Sequence, residues 1–385
     1  MIMSRPIQSM AGSILGLGLV FALLAWPAWS AEKCEDKGTP LSGDQCERTY
    51  VAKINRALPE YQLHAVWHRG GSGVDKAVIE VRKADSSEVI QTITPEDVSA
   101  PFFNFEVVDF NFDGYQDLKL LFSAGATGNT YDLVWFFNPR TGRFEECKGC
   151  DQLCQASPDP IRKMIHTHEK GGCAGMEYVD SSWVFRDNQP VVVAQETQDC
   201  LSAPGYYYRK HLKEDKGELK VASEEVYQDK ENRAGGANEV YLCGPVKPPF
   251  SCGAVLTVID FTMAEGNQSA DDMVSHYTDP VLWHGQLRDK KSLRDMHAAY
   301  LAKTSEYEIE MDNFVTSLES KGRKAVVEYD VRGSYLEAGG KRRTFVVRKR
   351  LRLVNAGKEW KIDCEEDAKY ILNTKGNVTN ECQIK

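Results

Sequence analysis

The stretch Asp109-Phe-Asn111-Phe-Asp113-Gly114-Tyr115-Gln-Asp117 sets oxygen-bearing side chains at alternate positions. Side chains so spaced converge on one side of a tight loop. Gly114 permits the sharp turn, Tyr115 offers its backbone carbonyl, and Asp117 closes the shell. A hard cation with several oxygen ligands, calcium above all, fits this set. Asp109, Asn111, Asp113, Tyr115 and Asp117 are therefore expected to ligate calcium, the one cofactor expected. An EF-hand needs a bidentate Glu at the twelfth position. Here that position is Leu120 and the flanks read as strands, so the expectation is a calcium loop within a β-hairpin.

Other residues with chemical capacity point elsewhere. Cys147, Cys150 and Cys154, followed by His166 and His168, have a metal-site look, but the spacing matches no standard zinc or iron–sulfur pattern. The two histidines are expected on one face of a strand, partly exposed. No G-x-S-x-G elbow, P-loop, G-x-G-x-x-G or H-E-x-x-H is present, and the chain reads as non-catalytic. Acidic residues outnumber basic ones, 56 to 47, for a net charge of −9. That excludes general nucleic-acid binding, which needs a basic surface to displace phosphate counterions. Lys341–Arg352 holds seven basic residues. They alternate in part with Phe345, Val347, Leu351 and Leu353, so most belong to a solvated strand face, an anionic partner being the alternative.

The elements that position these residues are mostly strands. Of 385 residues, 42% are hydrophobic and 27% charged, as in a folded protein, and the length suggests two or three folded units. Residues 1–30 read as a signal peptide: Arg5, an apolar run Ile14–Trp26, then Ala28-Trp29-Ser30, with cleavage after Ser30. The run is too short to span a bilayer, and no other segment is long and apolar enough. Localisation is expected to be periplasmic or secreted, where thiols pair. Cys34/Cys46, Cys243/Cys252 and Cys364/Cys382 each enclose a turn-rich loop. Cys173 and Cys200 flank a hairpin. The odd thiol is expected among Cys147, Cys150 and Cys154.

The segment Cys243–Gly253 holds three prolines and two glycines in eleven residues, which neither a helix nor a central strand tolerates. This gives an all-β domain over 31–243, a Pro/Gly-rich linker over 244–253, a second domain over 254–372 and a tail over 373–385. In the first domain Val74–Lys83 alternates, Ser86-Ser87 turns, and Val89–Ile93 returns. Further strand-like runs argue for a sandwich, barrel or propeller, with one short helix over 53–64. In the second, helical patterns at Val255–Met263, Asn267–Tyr277 and a helix capped by Ser292 give way to period-two runs ending at Trp360/Ile362/Cys364.

Residues 76–145 carry a strand, D-x-N-x-D-G-x-x-D, a second strand, the Gly-rich loop Gly125–Tyr131, an aromatic strand and Asn138-Pro139-Arg140-Thr141-Gly142-Arg143-Phe144. This stretch resembles a family of exported bacterial proteins with a small calcium-binding, β-propeller-like fold, similar to periplasmic lysozyme inhibitors. The resemblance implies a structural calcium and a non-catalytic inhibitor or immunity protein. Its partner would be a secreted or periplasmic peptidoglycan hydrolase, with Gly125–Tyr131 entering the hydrolase cleft and Tyr131 as a rigid aromatic anchor.

Residues 254–372, through the order helix, Tyr277-Thr278-Asp279-Pro280-Val281-Leu282-Trp283-His284-Gly285, helix, sheet, resemble the SnoaL-like (nuclear transport factor two-like) α+β cone. The resemblance implies a pocket between the helices and the concave sheet face, lined by Tyr277, Trp283, His284, Tyr300 and Tyr329. Enzymes of that fold use a placed acid–base pair there, for which Asp279 and His284 are the nearest match. A fold alone does not fix function. A small-molecule-binding or weakly catalytic protein, or an envelope scaffold, is the rival reading.

Overall fold

The computed structural model describes residues 32–34, 44–71, 73–96, 98–229, 239–247, 252–319, 322–357 and 359–367. The expected signal peptide, residues 248–251 of the expected linker, Cys382 and the tail lie outside them. Among the described residues no helix is long and apolar enough to cross a membrane.

The first half is three successive antiparallel meanders. The first sheet runs β1 (Glu32–Lys33), β2 (Gln45–Ala52), β3 (Tyr61–Arg69), β4 (Val74–Lys83) and β5 (Val89–Ile93), with β1 alone parallel to its neighbour. The second runs β6 (Phe105–Val108), β7 (Asp117–Ala124), β8 (Thr130–Asn138) and β9 (Arg143–Glu146). Period-two alternation explains their stacking. Leu63, Ala65 and Trp67 of β3 and Ala77, Ile79 and Val81 of β4 turn inward, against Leu118 and Leu120 of β7 and Trp135 and Phe137 of β8. Alternate residues of β8, Val134 and Phe136, bury their side chains on its other face in a second core with Ile165, Trp183 and Phe185 of the third sheet.

The helix expected over 53–64 does not form. Pro59 lacks a backbone N–H, the Asn55 side chain accepts the Ala57 N–H, and Tyr61 already opens β3. The inward alternation of Tyr61, Leu63, Ala65 and Trp67 prevails over a weak helical pattern.

The third sheet comprises β10 (Ser157–Asp159), β11 (Met164–Lys170), β12 (Tyr178–Arg186), β13 (Gln189–Cys200), β14 (Tyr206–Asp215), β15 (Glu218–Asp229) and β16 (Glu239–Val246). Its first strands belong to the second core and its last to the third, so β12, β13 and most of β14 lie half-exposed between them.

After β16 come α1 (Gly253–Gly266), α2 (Ala270–Ser275), β17 (Tyr277–Trp283), β18 (Gln286–Arg288), α3 (Lys290–Leu301), β19 (Thr304–Leu318), β20 (Lys324–Glu337), β21 (Arg342–Asn355) and β22 (Trp360–Asp367). The strands form one sheet in the order β18-β17-β22-β21-β20-β19. Asp289, rather than Ser292, caps α3, its carboxylate accepting the Ser292 N–H at 2.7 Å. Helix α1 buries Val255, Val258, Ile259 and Phe261 with Ala325, Val327, Tyr329 and Val331 of β20. The opposite face of the sheet is charged: Arg348 of β21 meets Asp330 of β20 at 3.0 Å, Arg350 meets Glu328 at 3.2 Å, and Arg352 meets Asp363 of β22 at 2.9 Å. Arg348, Arg350 and Arg352 of the basic run are thus paired with acids of their own sheet.

The third core crosses the expected linker. Tyr206, Val226, Leu242 and Cys243 pack into the same cluster as α1 and β20, and the Tyr206 hydroxyl donates to the Met311 carbonyl of β19. Strand β16 continues past Cys243 to Val246, and Cys252, bonded to Cys243, is fully buried at the start of α1. Gly244, at φ +98°, lies where a Cβ would meet the Glu224 carbonyl at 2.6 Å, so this close crossing requires glycine. The other disulfides are Cys34–Cys46, Cys147–Cys150 and Cys173–Cys200; Cys154 is a buried free thiol. Cys364 is also disulfide-bonded, and its expected partner Cys382 lies outside the described residues.

Candidate functional site

The Asp109–Asp117 loop joins β6 to β7 and folds around its own acids. Asp109 accepts the N–H groups of Asp113 (3.1 Å) and Gly114 (3.0 Å), and Asp113 accepts that of Tyr115 (2.9 Å). Asn111 accepts from Asp113 N–H at 3.2 Å. Asn55 reaches over from the first sheet and donates to the Gly114 carbonyl at 2.8 Å. Asp117 is fully buried and accepts three amides, those of Phe110 (2.9 Å), Asn111 (3.3 Å) and Phe137 (2.9 Å). Burial pushes its carboxyl up to about 7, against the pull of those amides. The donor set is all oxygen, which suits a hard cation. Yet both Asp117 oxygens are committed to backbone amides, and among the described residues no group of three or more His, Cys, Asp or Glu side chains is gathered as a metal cluster.

The Gly125–Tyr131 loop lies at the other end of β7, so the Asp loop is not what steadies it. Gly125, Ala126, Thr127 and Gly128 are all exposed. Below them Asn129 is buried, its amide donating to the Lys170 carbonyl and accepting the Lys170 N–H, both at 2.9 Å. Gln155 donates to the Gly128 carbonyl at 3.2 Å. Tyr131 lies beneath the tip, its hydroxyl donating to Glu169 at 3.3 Å and its backbone bridging Cys154. It is tied to the third sheet instead of projecting as an anchor.

The residues of the Cys/His cluster are separated. Cys147 and Cys150 are bonded to each other. His166 and His168 share one face of β11, facing Ser182 Oγ (3.1 Å) and Asp180 Oδ1 (2.5 Å) across the sheet.

In the C-terminal unit a cavity of about 360 Å³ opens between α1, α3 and the sheet. Of the five expected lining residues, Trp283, His284 and Tyr300 line it. Tyr277 and Tyr329 do not. Both are fully buried in the core, Tyr277 against Phe261 and Tyr329 against Phe314, with the Tyr329 hydroxyl on Thr262 Oγ1 at 2.8 Å. At inward strand positions beneath α1, aromatic rings fill the core before they reach a pocket. Asp279 is exposed and bonded to the Lys290 N–H at 3.4 Å, away from the lining, so the Asp279–His284 pair is not assembled.

The cavity floor is a buried ionic group that the sequence reading did not contain. Lys349 of β21 reaches Glu265 of α1 at 2.8 Å and Glu365 of β22 at 3.9 Å. The Tyr277 hydroxyl donates to Glu365 from below. Lys349 and Glu365 are buried. The signal available was the position of Lys349, between the inward-facing Val347 and Leu351 of a period-two strand. Beside the floor, two buried ring nitrogens have no hydrogen-bond partner, Trp283 Nε1 and His297 Nε2. Burial, and then the Lys349 charge, hold His297 down to about 4, so its imidazole is neutral at physiological pH.

No protein-family model matches this sequence, and no curated protein matches it. Among solved structures, the chain is similar to a Xanthomonas Type IV secretion system related protein, at 17% identity and TM-score 0.34, over 46% of this chain and 99% of that one. It is also similar to a ketosteroid isomerase-like protein from Erwinia carotovora atroseptica, at 14% identity and TM-score 0.26, over 30% of this chain and 95% of the other. A protein of the NTF2-like family from Streptomyces avermitilis aligns at 12% identity and TM-score 0.26, over 30% and 92%. These likenesses are too slight to bear on chemistry.

Proposed function

We propose that this is an exported, non-catalytic binding protein whose N-terminal half meets a peptidoglycan hydrolase, as an inhibitor or immunity protein. The observation that supports the reading is the Gly125–Gly128 tip. It is fully exposed, built of small residues, and held from beneath by Asn129 and Gln155. A narrow protrusion held in one shape loses little entropy on entering a cleft. Calcium is part of the proposal. Asp109, Asn111 and Asp113 would hold it with the Tyr115 carbonyl, and Asp117 would secure the loop backbone behind them. The four disulfide pairs, with Cys364 also disulfide-bonded, accord with a periplasmic or secreted location.

The test is hydrolase turnover with the purified mature protein, using lysozyme and periplasmic peptidoglycan hydrolases, in calcium and in EGTA. Inhibition that weakens in EGTA supports the reading. No inhibition of any hydrolase, with none captured from a periplasmic extract, overturns it.

A second reading concerns the C-terminal cavity, which we propose holds a small molecule. The two unpartnered nitrogens beside it, Trp283 Nε1 and His297 Nε2, favour this, because buried polar atoms are ordinarily paired. The Asp279–His284 pair is not assembled there, and the role proposed is binding.

A further inference from the structure

We propose that the C-terminal cavity takes an uncharged alcohol, one hydroxyl on a flat apolar body, with the hydroxyl placed between Trp283 and His297. The proposal rests on the second reading above, that this cavity holds a small molecule. It is carried by the kind of nitrogen each ring leaves unpartnered. Trp283, at the end of β17, and His297, on α3, both line the cavity, and Trp283 Nε1 and His297 Nε2 are buried with no hydrogen-bond partner. An indole N–H can only donate, so whatever meets it must accept. A neutral imidazole nitrogen donates in one tautomer and accepts in the other.

A hydroxyl is suited to both rings. It accepts from the indole N–H, and it meets the imidazole nitrogen in either tautomer. An ammonium has no acceptor for Trp283, and a carboxylate has no proton to give if His297 Nε2 is the accepting nitrogen. Burial holds His297 neutral, and its ring lies parallel to that of Tyr277, centroids 6.3 Å apart, which fixes its plane. The rest of the wall asks for an apolar body. Tyr300, Tyr335 and Phe345 line the space with Met273, Met296 and Leu301, and aromatic rings pack best against flat partners. The volume, about 360 Å³, lies at the lower end of the range of small-ligand pockets, roughly 300–1,000 Å³.

The test is calorimetric titration of the full mature protein with four probes of one shape: benzyl alcohol, toluene, benzylammonium and benzoate. The expected result is that benzyl alcohol binds about tenfold more tightly than each of the other three, the ratio that the hydroxyl's two hydrogen bonds give. Trp283→Phe, which keeps a ring and removes the N–H, should lower benzyl alcohol affinity about fivefold and leave toluene unchanged. His297→Leu should do the same from the other side, and it keeps the contrast readable if Trp283→Phe fails to fold. Equal binding of benzyl alcohol and toluene, or tighter binding of either charged probe, overturns the alcohol proposal and leaves the small-molecule reading standing. Benzyl alcohol affinity unchanged in either folded variant also overturns it. No binding of any probe at millimolar concentration overturns both readings.

Discussion

Asp117 and Phe137 stand twenty residues apart, and the carboxylate of the first accepts the backbone N–H of the second at 2.9 Å. The same carboxylate holds the Phe110 and Asn111 amides, so one side chain fastens the start of β7, the end of β8 and the Asp-rich loop. Asp117→Ala should leave three amides without this acceptor and cost about 2–4 kcal/mol. Urea denaturation measures it. A loss below about 0.5 kcal/mol would show that water replaces the carboxylate freely.

Calcium binding to the folded loop should raise the melting temperature, since a ligand at about one hundred times its Kd adds about 2.7 kcal/mol. EGTA should reverse the shift and Asp113→Ala should abolish it. A wild-type melting curve indifferent to calcium would remove the ion from the proposal.

Asn129→Ala tests the brace beneath the Gly125–Gly128 tip. It deletes two hydrogen bonds to Lys170 and should cost about 1–3 kcal/mol. Hydrolase inhibition should fall more steeply than stability, because the tip loses its fixed shape. Inhibition unchanged at full occupancy would place the contact surface elsewhere.

His297 predicts a pH dependence with a definite sign. Its folded value, about 4, lies below the ordinary histidine value of 6.5. The unfolded chain therefore takes up a proton between these values and the folded chain does not. The contribution is fully present above pH 6.5 and is lost as pH falls toward 4. The urea midpoint should drop across that window in the wild type and drop less in His297→Gln. Identical slopes would show that the imidazole protonates in place.

Tyr206→Phe removes the hydroxyl that ties β14 to the Met311 carbonyl and should cost about 1–2 kcal/mol. Because Tyr206, Val226 and Leu242 share a core with α1 and β20, residues 254–367 produced alone should melt lower than the same segment in the full chain. An isolated fragment with an undiminished melting temperature would show that the shared core contributes nothing.

What could be read directly in the sequence was what period and spacing encode locally. Ala77, Ile79 and Val81, or Ala325, Val327, Tyr329 and Val331, alternate because each strand has one wet and one dry face. The same alternation hid the cavity floor. Lys349 falls among six other basic residues of Lys341–Arg352, and its partner Glu265 lies 84 residues away, a separation no local pattern encodes. Tyr277 and Tyr329 were legible as inward residues, but whether an inward ring meets a cavity or a helix depends on α1 packing across the sheet. The shared third core escaped for a similar reason. The Pro/Gly composition of Cys243–Gly253 describes backbone shape and says nothing of which surfaces meet beyond it.

The middle of the third sheet joins two separate cores while neither of its faces is fully covered. Its coherence comes from cross-strand partners, as in Arg209 with Glu225 and Tyr227, or Tyr178 with Glu196. A span built this way gives up little dry surface when it opens, so its unfolding should add little to the heat capacity change. It acts as a hydrated bridge whose stiffness is electrostatic. Salt and pH, more than denaturant, are the levers that set how firmly one end of the molecule feels the other.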